Sequence, residues 1–426
     1  MNKRYYIVMG FALFSTFFGA GNLIFPIYLG RQAAQGWLMC MAGFLLTGVG
    51  IPILGVIASA KAGKSVEDLT RHVGRNFGKY LGTVIMLIIG PIFAVPRTGA
   101  TVYEMAVLPA FPQASKLIVL GAYFIVTFLI IVNKGKVMDK IGKVLTPVLL
   151  TVIFVIIAKG VFMLGGEFTP IFSAQQFSIG FKEGYQTMDA LGSILMGGFA
   201  IGMLMDKGIL DRDEQFKISA KAGIVAAIGL SLVYGGLIFV GANLTGVQEA
   251  SRTDLFVMAV DRILGQKGKI IMSLTVMLAC LTTSAGLTAM AGDFFSNISN
   301  GRLPYKWVVA VCAVVSFALS NLGVDAIVGL AVPILLVVYP VVISIVIMSV
   351  FDNIIPNKRA YRAAMAVVMP IGTAQALSSV GIEFLDASSV LAHLPLSEFG
   401  LEWFLPCTAV VLIFSLVRDK ESLRLR

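Results

Sequence analysis

Apolar residues in this chain gather into long, nearly continuous runs separated by short polar stretches. They lack the strict alternation of a half-buried strand, and most runs are apolar all round rather than along one stripe. A helix needs about 20 such residues to cross a bilayer. Runs of that kind predict helices at Tyr5–Gly30, Trp37–Ala60, Leu81–Leu108, Ser115–Val132, Ile141–Leu164 and Gln186–Met205. Six more follow at Ser219–Ala242, Ile270–Asp293, Trp307–Asn321, Val324–Val350, Tyr361–Phe384 and Phe399–Val417. The expectation is an all-α polytopic membrane protein with 12 transmembrane helices. The runs are too long for an outer-membrane barrel, whose strands need only about 10 residues with period two. Lys3 and Arg4 precede the first run, as in a signal peptide, but it continues to Leu29 without a convincing small-residue cleavage site. It reads as a retained first span.

Composition agrees: 58% of the 426 residues are apolar or aromatic and 13% are charged, too little charge for the surface of a water-soluble globule. The net charge of +10 has a topological source. With both termini in the cytoplasm, inward segments hold 24 Lys and Arg residues and outward loops 7, the asymmetry of positive-inside loops. That basic face lies against anionic membrane lipid, and no nucleic acid is needed to explain it. A membrane location with both termini on the cytoplasmic side is expected.

Cys40, Cys280, Cys312 and Cys407 lie in apolar segments without CxxC spacing and read as buried filler, not as disulfides or a metal site. The polar connections Lys61–Tyr80, Gly165–Tyr185 and Thr245–Lys269 are too short for an independent core. Function must therefore reside in the helix bundle, and no obligatory protein partner is implied. Enzyme signatures are missing: HExxH and GxSxG are absent, and Ala58 stands where a phosphate loop ending in Gly63-Lys64-Ser65 would need its first glycine. A pore would need a repeated filter motif, which is also absent.

Two spans carry features that a continuous helix resists. The first contains Phe17-Phe18-Gly19-Ala20-Gly21-Asn22-Leu23-Ile24-Phe25-Pro26, with two glycines, an amide and a proline in mid-bilayer. Unwound backbone persists at that depth only where it lines a cavity or meets an ion or substrate. The competing reading is close helix packing through small residues. The second interruption, Glu183 to Ser193, enters the sixth span and carries Asp189, a carboxylate that should meet a cation, a polar partner or water unless it lies at the span's mouth. Five spans separate the two, so a repeat restarting at span 6 would be inverted in the membrane. Matched breaks in spans 1 and 6 point to an inverted-repeat secondary transporter with a midplane site. In span 8, Ala279, Thr282 and Thr283 share one helical face. Their hydroxyls either satisfy the preceding turn's carbonyl or, with carbonyls from an unwound first span, form a hard oxygen cage for an alkali cation.

The segment Gly19-Ala20-Gly21-Asn22-Leu23-Ile24-Phe25-Pro26 resembles the first-span signature of the bacterial branched-chain amino acid:cation symporter family. Gly90-Pro91-Ile92-Phe93-Ala94-Val95-Pro96-Arg97-Thr98 and Tyr185-Gln186-Thr187-Met188-Asp189 are similar to its third- and sixth-span segments. The likeness runs over essentially the whole chain. It implies the amino acid, polyamine and organocation superfamily and its five-plus-five inverted-repeat leucine-transporter fold, with two further C-terminal helices. The corresponding division is 1–164, 165–350 and 351–426. It also implies uptake of leucine, isoleucine and valine with a coupling cation, usually sodium (Na+).

Carried across residue by residue, the resemblance puts the main-chain oxygens of Ser15 and Phe18, Ala279 and the hydroxyls of Thr282 and Thr283 in a sodium site between spans 1 and 8. Asn22 matches the amide of a second sodium site, and Asp189 falls near a position where that site has a hydroxyl. A carboxylate there would strengthen a second ion site, bind a proton, or only hold the break open. Phe17, Gly19 and Gly21 are substrate-binding positions of the first break: N–H groups near Gly21 suit the amino acid carboxylate, and carbonyls at the ends of the broken halves suit its ammonium. Met188, Leu191 and Leu287 are the candidates for an apolar side-chain pocket. Such a pocket separates one methylene by only about 1–3 kcal/mol, so the three branched substrates would share it. Arg97 is expected as a gate residue or as partner to a carboxylate within the bundle, with Glu104 two turns along. Lys159 and Asp325 read as interfacial. His72 and His393 fall in loops, leaving no imidazole relay and favouring sodium over protons. The alternatives are proton coupling or a carrier of other small apolar amino acids.

Overall fold

The computed structural model describes residues 4–63, 65–74, 76–132, 137–164, 171–205, 207–244, 250–355, 357–382 and 387–416. The basic residues Lys3, Lys64, Arg75, Lys134 and Lys136, the tail 417–426, and the expected far ends of spans 11 and 12 at Phe384 and Val417 lie outside the described residues.

Every regular element among the described residues is helical. Five stretches are long and apolar enough to cross a membrane unaided, and the pair Ala174–Thr187 and Asp189–Met205, bent by 44°, makes a sixth. Among the described residues, shorter apolar helices at Tyr5–Phe17, Lys116–Ile131, Pro147–Met163, Tyr305–Ser320 and Phe404–Leu416 fall within further expected spans, and the helix Arg359–Ser379 stands at the eleventh position. Ile118, Trp307 and Phe162 are 74%, 71% and 88% exposed, which suits a surface solvated by lipid rather than water.

Several boundaries differ from expectation. Span 6 starts at Ala174, not Gln186, because Ala174–Glu183 is a helix where a polar connection was expected. The supposed connection before span 8 likewise holds a helix, 252–264, joined to the span through Gly265 at φ 67°. Both helices are amphipathic or charged, so an apolar-run criterion passes over them. Span 3 is also interrupted: a wide turn over Ile88–Ile92 contains Gly90 at φ −91°, ψ −116°, and a regular helix resumes only at Ala94–Thr101. Pro91 removes a backbone donor there, which disfavours an uninterrupted helix.

The two broken spans exchange partners. Both halves of span 1, Arg4–Phe17 and Ile24–Ala33, pack along span 7 (Arg212–Ala242), while Ala174–Glu183 and Asp189–Met205 of span 6 pack along span 2. This reciprocity is what an inverted repeat produces. Glycines set the spacing. A Cβ on Gly30 would lie 1.9 Å from the Ile238 carbonyl oxygen, and one on Gly180 would lie 1.9 Å from that of Cys40. Such helices touch backbone to backbone, which only a missing side chain permits.

Candidate functional site

The first break is short and defined by its hydrogen bonds. Helix ends at Phe17, the Gly19 N–H turns back to the Phe17 carbonyl at 3.1 Å, and Ala20–Asn22 form one tight turn before helix resumes at Ile24. Pro26 falls in the first turn of the new helix, where its missing N–H has no partner to lose. It marks where the break ends. In span 6, a tight turn over Gly184–Thr187 leads to Met188 at φ 59°, ψ 8°, after which helix restarts at Asp189. The left-handed conformation costs a residue with a Cβ roughly 1–2 kcal/mol, so the surroundings must hold it. Strain of this kind concentrates at functional sites.

Asn22 ties the breaks together. Its Nδ2 donates to Oδ2 and Oδ1 of Asp189 at 3.0 and 3.2 Å and lies 3.3 Å from the Phe17 carbonyl. Its Oδ1 accepts from Arg97 Nη2 at 3.4 Å. Arg97, on the helix that restarts span 3, also donates from Nη1 to the Gln186 carbonyl at 2.6 Å and lies over the Phe25 ring at 4.8 Å. One amide and one guanidinium thus connect spans 1, 3 and 6. Glu104 is not part of this group: it accepts from the Thr253 hydroxyl at 2.8 Å and the Val324 N–H at 3.1 Å. The wide turn Val102–Val107 inserts an extra residue and rotates Glu104 off the face expected for it.

Around this knot lies a cavity of about 70 Å³. Of the expected site residues, Phe17, Gly19, Gly21, Asn22, Met188, Asp189, Thr283 and Leu287 line it. Leu191 does not: it is fully buried in the apolar core. At about 100° per residue, Leu191 sits on the far side of the helix from Asp189, whereas Gly192 and Met196, three and seven residues on, share the Asp189 face and do line the cavity. Counting helical phase from Asp189 would have selected Met196. Arg97, Thr187 and Ile89 are further lining residues that sequence reasoning did not place there.

Ser15, Phe18, Ala279 and Thr282 lie outside this cavity. Ser15 is exposed, and the Phe18 ring stacks on Phe14 at 5.2 Å. In span 8, the hydroxyls of Thr282 and Thr283 donate to the Ala279 carbonyl at 2.9 and 3.0 Å. These contacts use the protons and leave oxygen lone pairs, so three oxygens converge on one helical face. Thr283 meets the first break, its Oγ1 lying 3.6 Å from where a Cβ on Gly19 would stand. All four cysteines are buried free thiols, and among the described residues no cluster of His, Cys, Asp and Glu could hold a metal ion.

A larger vestibule, about 820 Å³, lies beside the second break and is lined by Tyr28, Glu183, Tyr185, Gln186, Arg252 and Glu402, among others. Arg252 spans its rim, bonded to Glu183 at 3.3 Å and Asp325 at 2.9 Å, with its guanidinium 4.0 Å from the Tyr28 ring centre. Gln186 is shared between the two spaces, lining the vestibule while its carbonyl holds Arg97. At the opposite end of the bundle, Asp352 gathers Lys358 at 2.7 Å, Arg71 at 3.4 Å and the Tyr361 hydroxyl at 2.8 Å.

Residues 2–421 match the family model described as branched-chain amino acid transport protein. The chain is 36% identical to the branched-chain amino acid permease BraB of Bacillus subtilis, over 94% of this chain and 92% of that one. It is 35% identical to the branched-chain amino acid transport system 2 carrier protein of Pseudomonas aeruginosa, over 97% and 96%. Among solved structures it is similar to a nucleobase-cation-symport-1 family transporter in a closed conformation with bromovinylhydantoin bound, with TM-score 0.61 and 15% identity over 97% of this chain and 95% of that one. A mutant manganese transporter from Eremococcus coleocola gives TM-score 0.57 and 12% identity over 96% and 92%. The structural likenesses show the transporter fold. The chain belongs to the branched-chain amino acid transport protein family.

Proposed function

We propose that this member of the family imports leucine, isoleucine and valine across the bacterial cytoplasmic membrane by sodium symport, through alternating access. The observation that carries the reading is the meeting of two unwound segments around one cavity, with Asn22, Asp189 and the hydroxyl of Thr283 on its wall. The family and the names of the relatives supply the substrate class.

In this reading the co-transported sodium ion is held by the Ala279 carbonyl and the Thr282 and Thr283 hydroxyls, with main-chain oxygens of Ser15 and Phe18 completing the cage. The oxygen set suits such an ion: all three span-8 ligands are neutral, and each hydroxyl oxygen lies 2.9 or 3.0 Å from the Ala279 carbonyl oxygen. Phe17, Gly19 and Gly21 offer main chain to the amino acid head group, and Met188, Leu287 and Met196 its apolar surroundings. Both termini face the cytoplasm, as the Lys and Arg distribution argues.

One observation favours a second reading, proton coupling: Asp189 lines the cavity, and its two oxygens take the neutral Asn22 amide rather than a direct ion pair with Arg97. Purified protein in vesicles distinguishes the two. A sodium gradient at fixed pH should drive accumulation of radiolabelled leucine, and a proton gradient without sodium should not. Accumulation under the proton gradient alone would reverse the choice, and no accumulation under either would reject both.

A further inference from the structure

We infer that Arg97 is the residue that receives the α-carboxylate of the transported amino acid. The inference rests on the transport reading above and names a side chain that the reading leaves without a role.

Three observations carry it. Arg97 is 3% exposed at the depth of the two breaks, where a guanidinium is tolerated only beside a partner or a polar cavity. Its hydrogen bonds are incomplete: Nη1 has a close acceptor in the Gln186 carbonyl at 2.6 Å, Nη2 has only the distant Asn22 Oδ1 at 3.4 Å, and the buried Nε has no acceptor at all. Nε lies 3.7 Å from where a Cβ on Gly21 would stand, and both residues line the cavity, so no Gly21 side chain stands between this donor and the cavity. A buried charged donor without an acceptor is costly unless a ligand supplies one.

The protein's own carboxylate does not fill that role. Asp189 takes the Asn22 amide on both oxygens, and among the described residues no ion pair joins it directly to Arg97. Asn22 keeps the two opposite charges apart across the cavity. An amino acid zwitterion complements that arrangement, its carboxylate accepting from Nε and Nη2 and its ammonium lying toward Asp189. A guanidinium offers these two parallel donors in a fixed fork, which lysine lacks.

The test compares leucine with leucinol, which keeps the ammonium and side chain but replaces the carboxylate with a neutral hydroxymethyl group. Ligand-induced thermal stabilisation of the purified full-length protein gives an apparent affinity for each. Wild type should prefer leucine roughly tenfold to hundredfold, the range of a hydrogen bond between charged groups. Arg97→Gln should abolish that preference by weakening leucine alone, and Arg97→Lys, which keeps the charge, should restore part of it. A merely structural Arg97 would weaken both ligands together and leave the ratio unchanged, which overturns the inference. If Arg97→Gln does not fold, Arg97→Lys decides, since losing the fork must still lower leucine against leucinol. A wild type that responds to neither ligand overturns the transport reading, and this inference with it.

Discussion

Replacing Asn22 with alanine removes the side chain that links the first break directly to the Asp189 carboxylate of the second. The amide has two protons. The structure directs them to the Asp189 carboxylate, at 3.0 and 3.2 Å, and toward the Phe17 carbonyl at 3.3 Å. The Phe17 contact is long and to a neutral group, so most of the effect lies with the carboxylate. A hydrogen bond to a charged group contributes about 1.5–3 kcal/mol, and Asn22→Ala also strips Arg97 Nη2 of its Oδ1 acceptor. About 3 kcal/mol is a fair sum for the local arrangement, equivalent to roughly a hundredfold in its population. Leucine uptake by vesicles containing matched amounts of protein should show an apparent affinity lower by about that factor, with sodium response and uptake both impaired. Unchanged leucine affinity in Asn22→Ala, with an unchanged melting temperature, would refute the claim that this amide holds the two unwound segments together.

Further outcomes follow from other contacts. Thr282→Ala should move the sodium concentration for half-maximal leucine uptake upward by about tenfold or more, as loss of a ligand worth a charged-group hydrogen bond requires, while Thr282→Ser should stay near wild type; a sodium titration of uptake reads both. Gly180→Ala puts a Cβ 1.9 Å from the Cys40 carbonyl oxygen, so spans 2 and 6 must separate. The loss should reach about 1–3 kcal/mol or more, read as a lower melting temperature in detergent. Burial holds the His72 imidazole below its ordinary range against the pull of the neighbouring Asp352 carboxylate, so their 3.7 Å contact is not an ion pair at neutral pH. With its folded pKa below the unfolded 6.5, the unfolded chain protonates first, and the stability His72 contributes is full above that pH and falls as pH drops through the folded value. Burial by itself would raise the Asp352 carboxyl, but Lys358 and Tyr361 together hold it below its ordinary range, so its own contribution is lost only at far lower pH. Melting temperatures between pH 7.5 and 5 should therefore decline in wild type and decline less in His72→Gln.

The sequence by itself determined the solvent, the class and the two weak points of the chain. Apolar runs admit only spanning helices once every backbone group must be satisfied internally, and Gly19, Gly21 and Pro26 leave a helix little reason to continue through the first span. Asp189 was legible for the same reason, because a carboxylate at that depth needs a partner. Local pattern failed where its criterion was wrong: Ala174–Glu183 is a helix too polar on one face to register as an apolar run, and Gly90-Pro91 lies within an unbroken apolar run although the helix is interrupted there. What only the tertiary structure decided is which side chains meet. Arg97 and Asn22 are 75 residues apart, and Asn22 and Asp189 are 167 apart, so no spacing rule relates them. The choice of Met196 over Leu191 depends on the phase of a helix whose starting point is fixed by the left-handed Met188. Periodicity is a property of a segment, whereas a binding site is a property of how segments pack. The helices were therefore readable along the chain, but the partners of Arg97 were not.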